Sequence, residues 1–547
     1  MESIINDLFP HESFRPKQKE TIEAAIQNLY YDGYDNVVID APVGVGKSSI
    51  CTTLLRYADD GFYSTPQKSL REQIQDDEAL QEHISSLKAR KDYTCKVTGN
   101  NCKECSINQD SERTCSEMGQ NCTYWASKLG SINSDIAVLT FSYLIIDNML
   151  PEMSGDTPIS FGNREMLVVD EAQSLEQQTA SLHAGFKISP YSLPNTVFTG
   201  ATNSADYEAD SYEDVKQEVN TIYSRANNYV PDIPEIEMSP AEKKCKRLVE
   251  KIDWMRDEID RGNHWVVDVD STKYKNNYTK VLELKPINIS TFLKNNVWNR
   301  ASKRVISTAT LPYRSNPEVW LRKVGLDPDN TAIISVGMQF PVENRPIHTD
   351  SMVCSMSGGG FDDNFIETME TLNDIAEDYY NEKGVVHTSS YSRARKIYDS
   401  VGSKYPYLQD NLYLHEKEDN ADEVIEDWQN GGDSKDILLS PSVMSGVDLK
   451  DDMCRFQILL KVPYPAMKSR VKYITDSQPY GWNSYFERAM IRVVQSYGRG
   501  IRSSDDKCDY FVLDEDFSDL LSKRQAPSWF MDALEVDERA SRSVFDY

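Results

Sequence analysis

No apolar run in the 547-residue chain approaches the ~20 residues needed to span a bilayer. A membrane partner is therefore not expected. The first residues, MESIINDLFPHESF, lack a basic segment followed by an apolar one, so no secretory signal is read there. Both absences point to the cytoplasm, where disulfides are rare. Positive charge is scarce: 59 Lys and Arg stand against 87 Asp and Glu, a net charge of −28. Such a surface repels nucleic acid at long range. Any contact with DNA must then run through a local basic groove inside an acidic shell. Neither a tandem repeat nor a long low-complexity tail is found. Cysteine is also sparse, ten in all, yet Cys95, Cys102, Cys105, Cys115 and Cys122 fall within 28 residues. The others (Cys51, Cys245, Cys354, Cys454, Cys508) are scattered and read as small buried apolar residues.

What is present is a polar, folded chain, 39% hydrophobic and 27% charged. Its length corresponds to about three or four units of roughly 150 residues. The segment NVVIDAPVGVGKSSICTTLLRY (36–57) reads as a strand, a glycine-containing loop and a helix, the context a P-loop requires. Gly44 and Gly46 let backbone N–H groups approach phosphate oxygens, and the helix N-terminus adds its positive dipole end. Lys47 would reach the β- and γ-phosphates and Ser48 would hold Mg2+. EMLVVDEAQ (165–173) supplies the acidic partner at the end of a buried strand. Asp170 is placed to bind Mg2+ through water, and Glu171 to act as general base on the attacking water. A P-loop paired with this strand end predicts ATP hydrolysis.

Further segments follow in a definite order. They are FRPKQ (14–18), FYSTPQKSLREQI (62–74), VLTFSYLI (138–145) and VISTATL (305–311). The second half adds GVVHTSSYSRARKIYD (384–399), ILLSPSVMSGVDLK (437–450), LLKVPYP (459–465), QSYGRGIRS (495–503) and YFVLDEDF (510–517). Taken together the chain resembles a superfamily 2 helicase of the XPD/DinG iron–sulfur family, over most of its length. The resemblance implies that Gln18 contacts the adenine base and that the turn around Thr65 contacts DNA. It implies that STATL couples ATP state to DNA grip, and that Gly446 and Asp448 occupy the family's SEGID positions. Gln495, Arg499 and Arg502 fall in the QxxGRxxR-like segment. Arg499 and Arg502 are three apart, hence on one face if helical. They are the arginine-finger candidates that would sense domain closure and stabilise the transition state. Two departures stand out. The box is DEAQ rather than DEAH, so Gln173 exchanges hydrogen bonds but carries no charge. STATL replaces TSATL, a hydroxyl-for-hydroxyl exchange.

The clustered cysteines lie where the resembling family inserts a small iron–sulfur domain. KARKDYTC (88–95) looks like the stretch before the first ligand, and CTYW (122–125) like the last. The resemblance makes Cys95 and Cys122 ligands. Cys102 and Cys105 form a CxxC pair, and Cys115 is a possible substitute for either. CxxC with two outer cysteines also suits tetrahedral zinc, and residue types alone do not separate zinc from a 4Fe–4S cluster; the family context favours the cluster. Either would fasten a polar segment with too little core to fold alone. Lys88, Arg90, Lys91 and Lys96 nearby fit a DNA-tracking patch or a solvated face equally.

The expected fold is α/β: two RecA-like parallel-sheet domains, an inserted Fe–S (cysteine) domain and a helical arch-like insertion. The first RecA-like domain is expected at 1–90, 123–185 and 298–312, the cysteine domain at 91–122, the arch at 186–297 and the second RecA-like domain at 313–547. AEKKCKRLVEKIDWMRDEIDRG (241–262) carries helical charge patterning. The resemblance implies an ATP-dependent DNA helicase using ATP, Mg2+ and a 4Fe–4S cluster. It would move 5′ to 3′ on single-stranded or forked DNA, and a monomer is expected. One alternative is a nucleic-acid-dependent ATPase that translocates and remodels nucleoprotein without processive unwinding. A nucleotide-switched scaffold without turnover is disfavoured by Lys47, Glu171 and Arg499. A nuclease is not expected, since little chain precedes the P-loop and no further carboxylate constellation is read.

Overall fold

The computed structural model describes residues 2–534 except 67, 97–98, 103–121, 149–152, 155–156, 159, 190–192, 199–210, 234–237, 275–276, 410, 432–436, 442–448, 450–452, 502, 504 and 524. Two parallel sheets dominate. The first has seven strands in the order Thr331–Ser335, Asn36–Asp40, Ala301–Thr308, Arg164–Val169, Gly61–Thr65, Ile136–Thr140, Ser85–Ser86. Both faces are covered, as parallel sheets require. Val37 and Ile39 pack into one core with Ile50 and Leu54 of the helix after the P-loop. Val38, Leu167 and Ile306 point the other way, into a core with Leu144 and Trp298. This two-sided burial explains why VVID and MLVV read as unbroken apolar runs.

The second sheet has six parallel strands: Ile347–His348, Asp509–Val512, Phe456–Leu459, Gly384–His387, Ile437–Ser440, Leu412–Leu414. The two RecA-like sheets are thus as expected, but their division is not. Thr331–Ser335 pairs in register with Asn36–Asp40 at the edge of the first sheet. A boundary at 312/313 would cut that sheet, so strand pairing moves it beyond Ser335. A short apolar strand such as TAIIS shows no local sign of which sheet will receive it.

The insertion between the first domain's strands carries the expected long helix, Pro240–Asp260. Its capping box joins Ser239 and Glu242, with Pro240 in the first turn. It packs against Tyr212–Tyr229 through Cys245, Leu248, Ile252 and Met255 on one side and Val215, Val219, Ile222 and Ala226 on the other. These spacings give each helix one apolar stripe. The insertion is not helical alone. Phe186–Ile188, Asn277–Pro286 and Trp265–Tyr274 form a three-stranded antiparallel sheet that closes the same core. Of the scattered cysteines, Cys51, Cys245, Cys454 and Cys508 are buried and Cys354 is partly so.

Candidate nucleotide cleft and cysteine site

The P-loop strand ends at Asp40, and the helix Lys47–Tyr57 begins directly after Gly46. Gly44 (φ 86°) and Gly46 (φ 83°) adopt the left-handed conformation that turns the loop. Gly46 is doubly constrained, because a Cβ there would come within 2.2 Å of Gln18 Nε2. Lys47 Nζ donates to the carbonyls of Ala41 (3.1 Å) and Pro42 (3.3 Å), spanning the loop a phosphate would fill. Gln18 does not project freely toward a base. Its Nε2 donates to the Val45 carbonyl (2.9 Å) and its Oε1 accepts from the Arg15 backbone N–H (2.7 Å). In this structure it braces the loop at the edge of the cleft, and Arg15 adds a bond to the Gly44 carbonyl (2.7 Å).

Asp170 sits at the end of Arg164–Val169, beside the loop. Tyr63 donates its hydroxyl to Oδ2 (3.0 Å) and the Glu171 N–H donates to Oδ1 (2.9 Å). Burial, then the neighbouring Glu171 charge, raises its carboxyl above the usual range. Such a crowded pair of oxygen donors suits a hard divalent cation. Glu171 itself holds a left-handed backbone (φ 51°), a conformation non-glycine residues keep where the surroundings enforce it. Gln173 is the link the DEAQ departure supplies: its amide donates to Glu171 Oε2, and its Oε1 accepts from Thr308 Oγ1 (2.7 Å). Thr308 Oγ1 in turn accepts from the Thr310 N–H (3.2 Å), so the bridge runs from Glu171 into STATL. Asp40, which carries no role in the sequence reading, completes the frame. It accepts from the Leu311 N–H (3.1 Å) and pairs with Arg314 (2.8 Å). The legible signals were an acidic residue ending the P-loop strand and an arginine three residues after STATL.

Lys47, Ser48, Asp170 and Glu171 line one cleft of about 680 Å3 together with Gln495 and Arg499 from the other domain. Gly44, Gly46 and Gln18 form its floor. The domains touch closely here: a Cβ on Gly498 would lie 2.9 Å from Val43 of the P-loop. Arg502, Gly446 and Asp448 lie outside the described residues. A second cleft of about 700 Å3 shares Glu171, Gln495 and Arg499 and continues past Pro66, Ser389, Arg393, Lys461, Tyr464 and Arg492. Among its described lining residues, four cations face the single carboxylate of Glu171. A local basic groove inside an acidic shell is what the net charge demanded of any DNA-binding surface.

At the cysteine segment, contacts between neighbouring residues tie together the stretches that carry Cys95, Cys102 and Cys122. Thr94, which precedes Cys95, bridges to Asn101, which precedes Cys102. The Thr94 carbonyl also accepts from Thr123 Oγ1 (2.8 Å), next to Cys122. The Cys102 N–H donates to the Tyr93 carbonyl (2.9 Å). Tyr93 meets Tyr124 edge to face (5.6 Å), which fixes the strand before Cys95 against the helix after Cys122. Thiolates suit a thiophilic metal or cluster, but among the described residues no group of three or more His, Cys, Asp or Glu side chains is placed to hold a metal ion. Cys105 and Cys115 lie outside the described residues. Of the basic residues, Arg90 stacks over the Tyr124 ring (4.8 Å), while Lys91 and Lys96 are exposed.

Residues 376–533 match the family model described as the helicase C-terminal domain. The chain is 23% identical over 247 residues to the ATP-dependent DNA helicase DinG of Photobacterium profundum. That match covers 43% of this chain and 34% of the relative, about a third of its length. The fold is similar to the solved structure of an XPD helicase (TM-score 0.60, 16% identity, 94% of this chain and 99% of that one). It is likewise similar to S. tokodaii Xpd4 (TM-score 0.55, 14% identity, 95% and 100%). Among the described residues no helix is long and apolar enough to cross a membrane.

Proposed function

We propose that the chain is an XPD/DinG-like superfamily 2 helicase, an ATP-driven motor that moves along single-stranded DNA and separates duplex ahead of it; the matches to the helicase C-terminal domain, to DinG and to the XPD fold support this reading. The carrying observation is that Lys47, Asp170 and Glu171 of one RecA-like domain share a cleft with Gln495 and Arg499 of the other. The N–H groups around Gly44 and Gly46 and the Lys47 ammonium would hold the phosphates, with Ser48 and Asp170 orienting Mg2+, whose charge offsets that on the phosphates. Glu171, pointed by Gln173, would take the proton of the attacking water. Arg499, and Arg502 with it, would meet the charge that develops on the transferred phosphoryl group, so hydrolysis requires the domains to be closed. The bridge from Glu171 through Gln173 to Thr308 gives this closure a route into the DNA-gripping segment. The basic groove past Arg393, Lys461 and Arg492 supports a single-strand path. In the cysteine segment Cys95, Cys102, Cys105 and Cys122 would ligate a 4Fe–4S cluster, with Cys115 as a substitute. Its contribution there is to cross-link a segment with little core.

The reading is tested by ATP turnover with and without oligo-dT, followed by displacement from forked duplexes with a 5′ or a 3′ single-stranded arm. Stimulated turnover with displacement only from the 5′-armed fork supports the helicase; stimulated turnover with no displacement from either fork favours the non-unwinding translocase. No stimulation overturns both. Metal analysis of anaerobically purified protein is expected to give about four irons per chain and a brown absorbance; one zinc and no colour would replace the cluster.

A further inference from the structure

Beyond the nucleotide cleft, the two RecA-like domains meet at a second place, beside a cavity of about 420 Å3 that Glu176, Lys323 and Arg470 help to line. Glu176 lies in the short helix Leu175–Gln178, which follows the DEAQ box almost directly. Its carboxylate is buried and shared by two arginines of the other domain: Oε1 accepts from Arg470 (2.9 Å) and from Arg488 (3.0 Å). Arg488 sits on helix Gly481–Tyr497, seven residues before Gln495 and so on the same face. That helix runs directly into Gly498 and Arg499. Arg470 reaches a third body as well. Its guanidinium donates to the carbonyls of Pro286 (3.1 Å) and Ile287 (3.0 Å) at the end of the arch-like insertion's sheet. Ser469 beside it caps the same sheet, its N–H on Asp268 Oδ1 (2.9 Å) and its hydroxyl on the Val267 carbonyl (2.7 Å).

We propose that Glu176 is a positioning residue for ATP turnover. Through Arg488 it sets the helix that delivers Gln495 and Arg499 to the nucleotide cleft, and through Arg470 it ties that setting to the arch-like insertion. The proposal rests on the ATPase reading above. A carboxylate held by two guanidiniums is a stiff, directional joint, because each arginine's planar fork fixes the approach. It lies a short helix away from Glu171, so any movement of the DEAQ segment reaches the arginine helix without passing through nucleotide. Glu176 is not among the residues that line the nucleotide cleft, and its effect should fall on turnover rather than on nucleotide affinity.

The test uses the full-length protein with ATP, oligo-dT and a forked duplex. Glu176→Gln keeps the shape and one acceptor but removes the charge. It is expected to lower the oligo-dT-stimulated kcat about tenfold, with the KM for ATP and the affinity for a fluorescent ADP held within about threefold. Arg488→Lys is expected to show the same split, and serves as the reading if Glu176→Gln does not fold. Arg470→Met cuts the link to the arch-like insertion and is expected to lower the strand displaced per ATP consumed about fivefold or more. Turnover within about twofold of wild type in both Glu176→Gln and Arg488→Lys overturns the proposal, as does a loss of ADP affinity parallel to the loss of kcat. A wild-type protein that does not hydrolyse ATP would instead overturn the reading beneath it.

Discussion

The two places where the RecA-like domains meet are built on opposite electrostatic plans. The nucleotide cleft is open, and Lys47 spends its donors on the carbonyls of its own loop. The Glu176 junction borders a cavity of about 420 Å3 of its own, but its charge is closed off by pairing: the carboxylate is divided between two arginines of the opposite domain. In the cleft, charge is held ready for a ligand that brings its own; at the junction, charge is neutralised inside the protein. Burial by itself would raise the Glu176 carboxyl, but the charges of Arg488, Lys323 and Arg470 around it outweigh that and hold it far below the usual range, so it stays ionised at any working pH. Glu487, one residue before Arg488, goes the other way. Burial and the Glu176 charge push its carboxyl up to about 8, with its Oε1 left without a hydrogen-bond partner. An open site is free to exchange partners during a cycle, whereas a closed one keeps the same geometry and behaves as a pivot.

The largest expected effect falls in the open site. Lys47→Ala removes the ammonium proposed to hold the phosphates and should lower ATP turnover by about 10^3 or more while leaving the thermal melt intact. If the variant still shows DNA-stimulated hydrolysis, the cleft assignment is wrong. A smaller effect is expected in the closed site. The raised Glu487 carboxyl means that the native state binds a proton the unfolded chain releases. The stability this gives is fully present below the unfolded value of 4.5 and is lost as pH rises through about 8. Glu487→Gln removes the group that titrates. The wild-type melting temperature should therefore fall by about 2–4 °C more than the variant's across that window. Equal slopes would mean that the junction is wetter than its burial indicates. The smallest effect is expected at the seam between cleft and STATL. Gln173→Ala breaks the Glu171–Thr308 bridge and should cost about 3–10-fold in DNA-stimulated turnover, with basal turnover less affected. Equal losses in both would make Gln173 a support for Glu171 rather than a coupler.

The sequence was most informative where the chemistry is local. The strand, loop and helix from Asn36 to Tyr57 carry their own meaning, because phosphate binding needs glycines, a helix start and a lysine within a few bonds of one another. The same holds for Asp170 and Glu171 at the end of one buried strand. It holds also for the helix Pro240–Asp260, whose cap and apolar stripe are written in one stretch. Motif order then carried the two-domain plan, since each motif marks the end of a strand that a parallel sheet must contain. The antiparallel sheet of the arch-like insertion went unread: Trp265–Tyr274 and Asn277–Pro286 follow one another closely, but their third partner, Phe186–Ile188, comes from far along the chain and only pairing defines it.

By itself, then, the amino-acid order determined the P-loop, the DEAQ strand end, the clustered thiols and the acidity that confines any DNA path to a groove. These follow from short-range geometry and composition. Only the tertiary structure decided that Thr331–Ser335 joins the first sheet, that Gln18 braces the P-loop, and that Glu176 meets Arg488 across 312 residues of chain. The physical reason is common to all three. A hydrogen bond or ion pair between distant residues depends on where two packed bodies place them, and the pattern around either residue alone does not encode that placement.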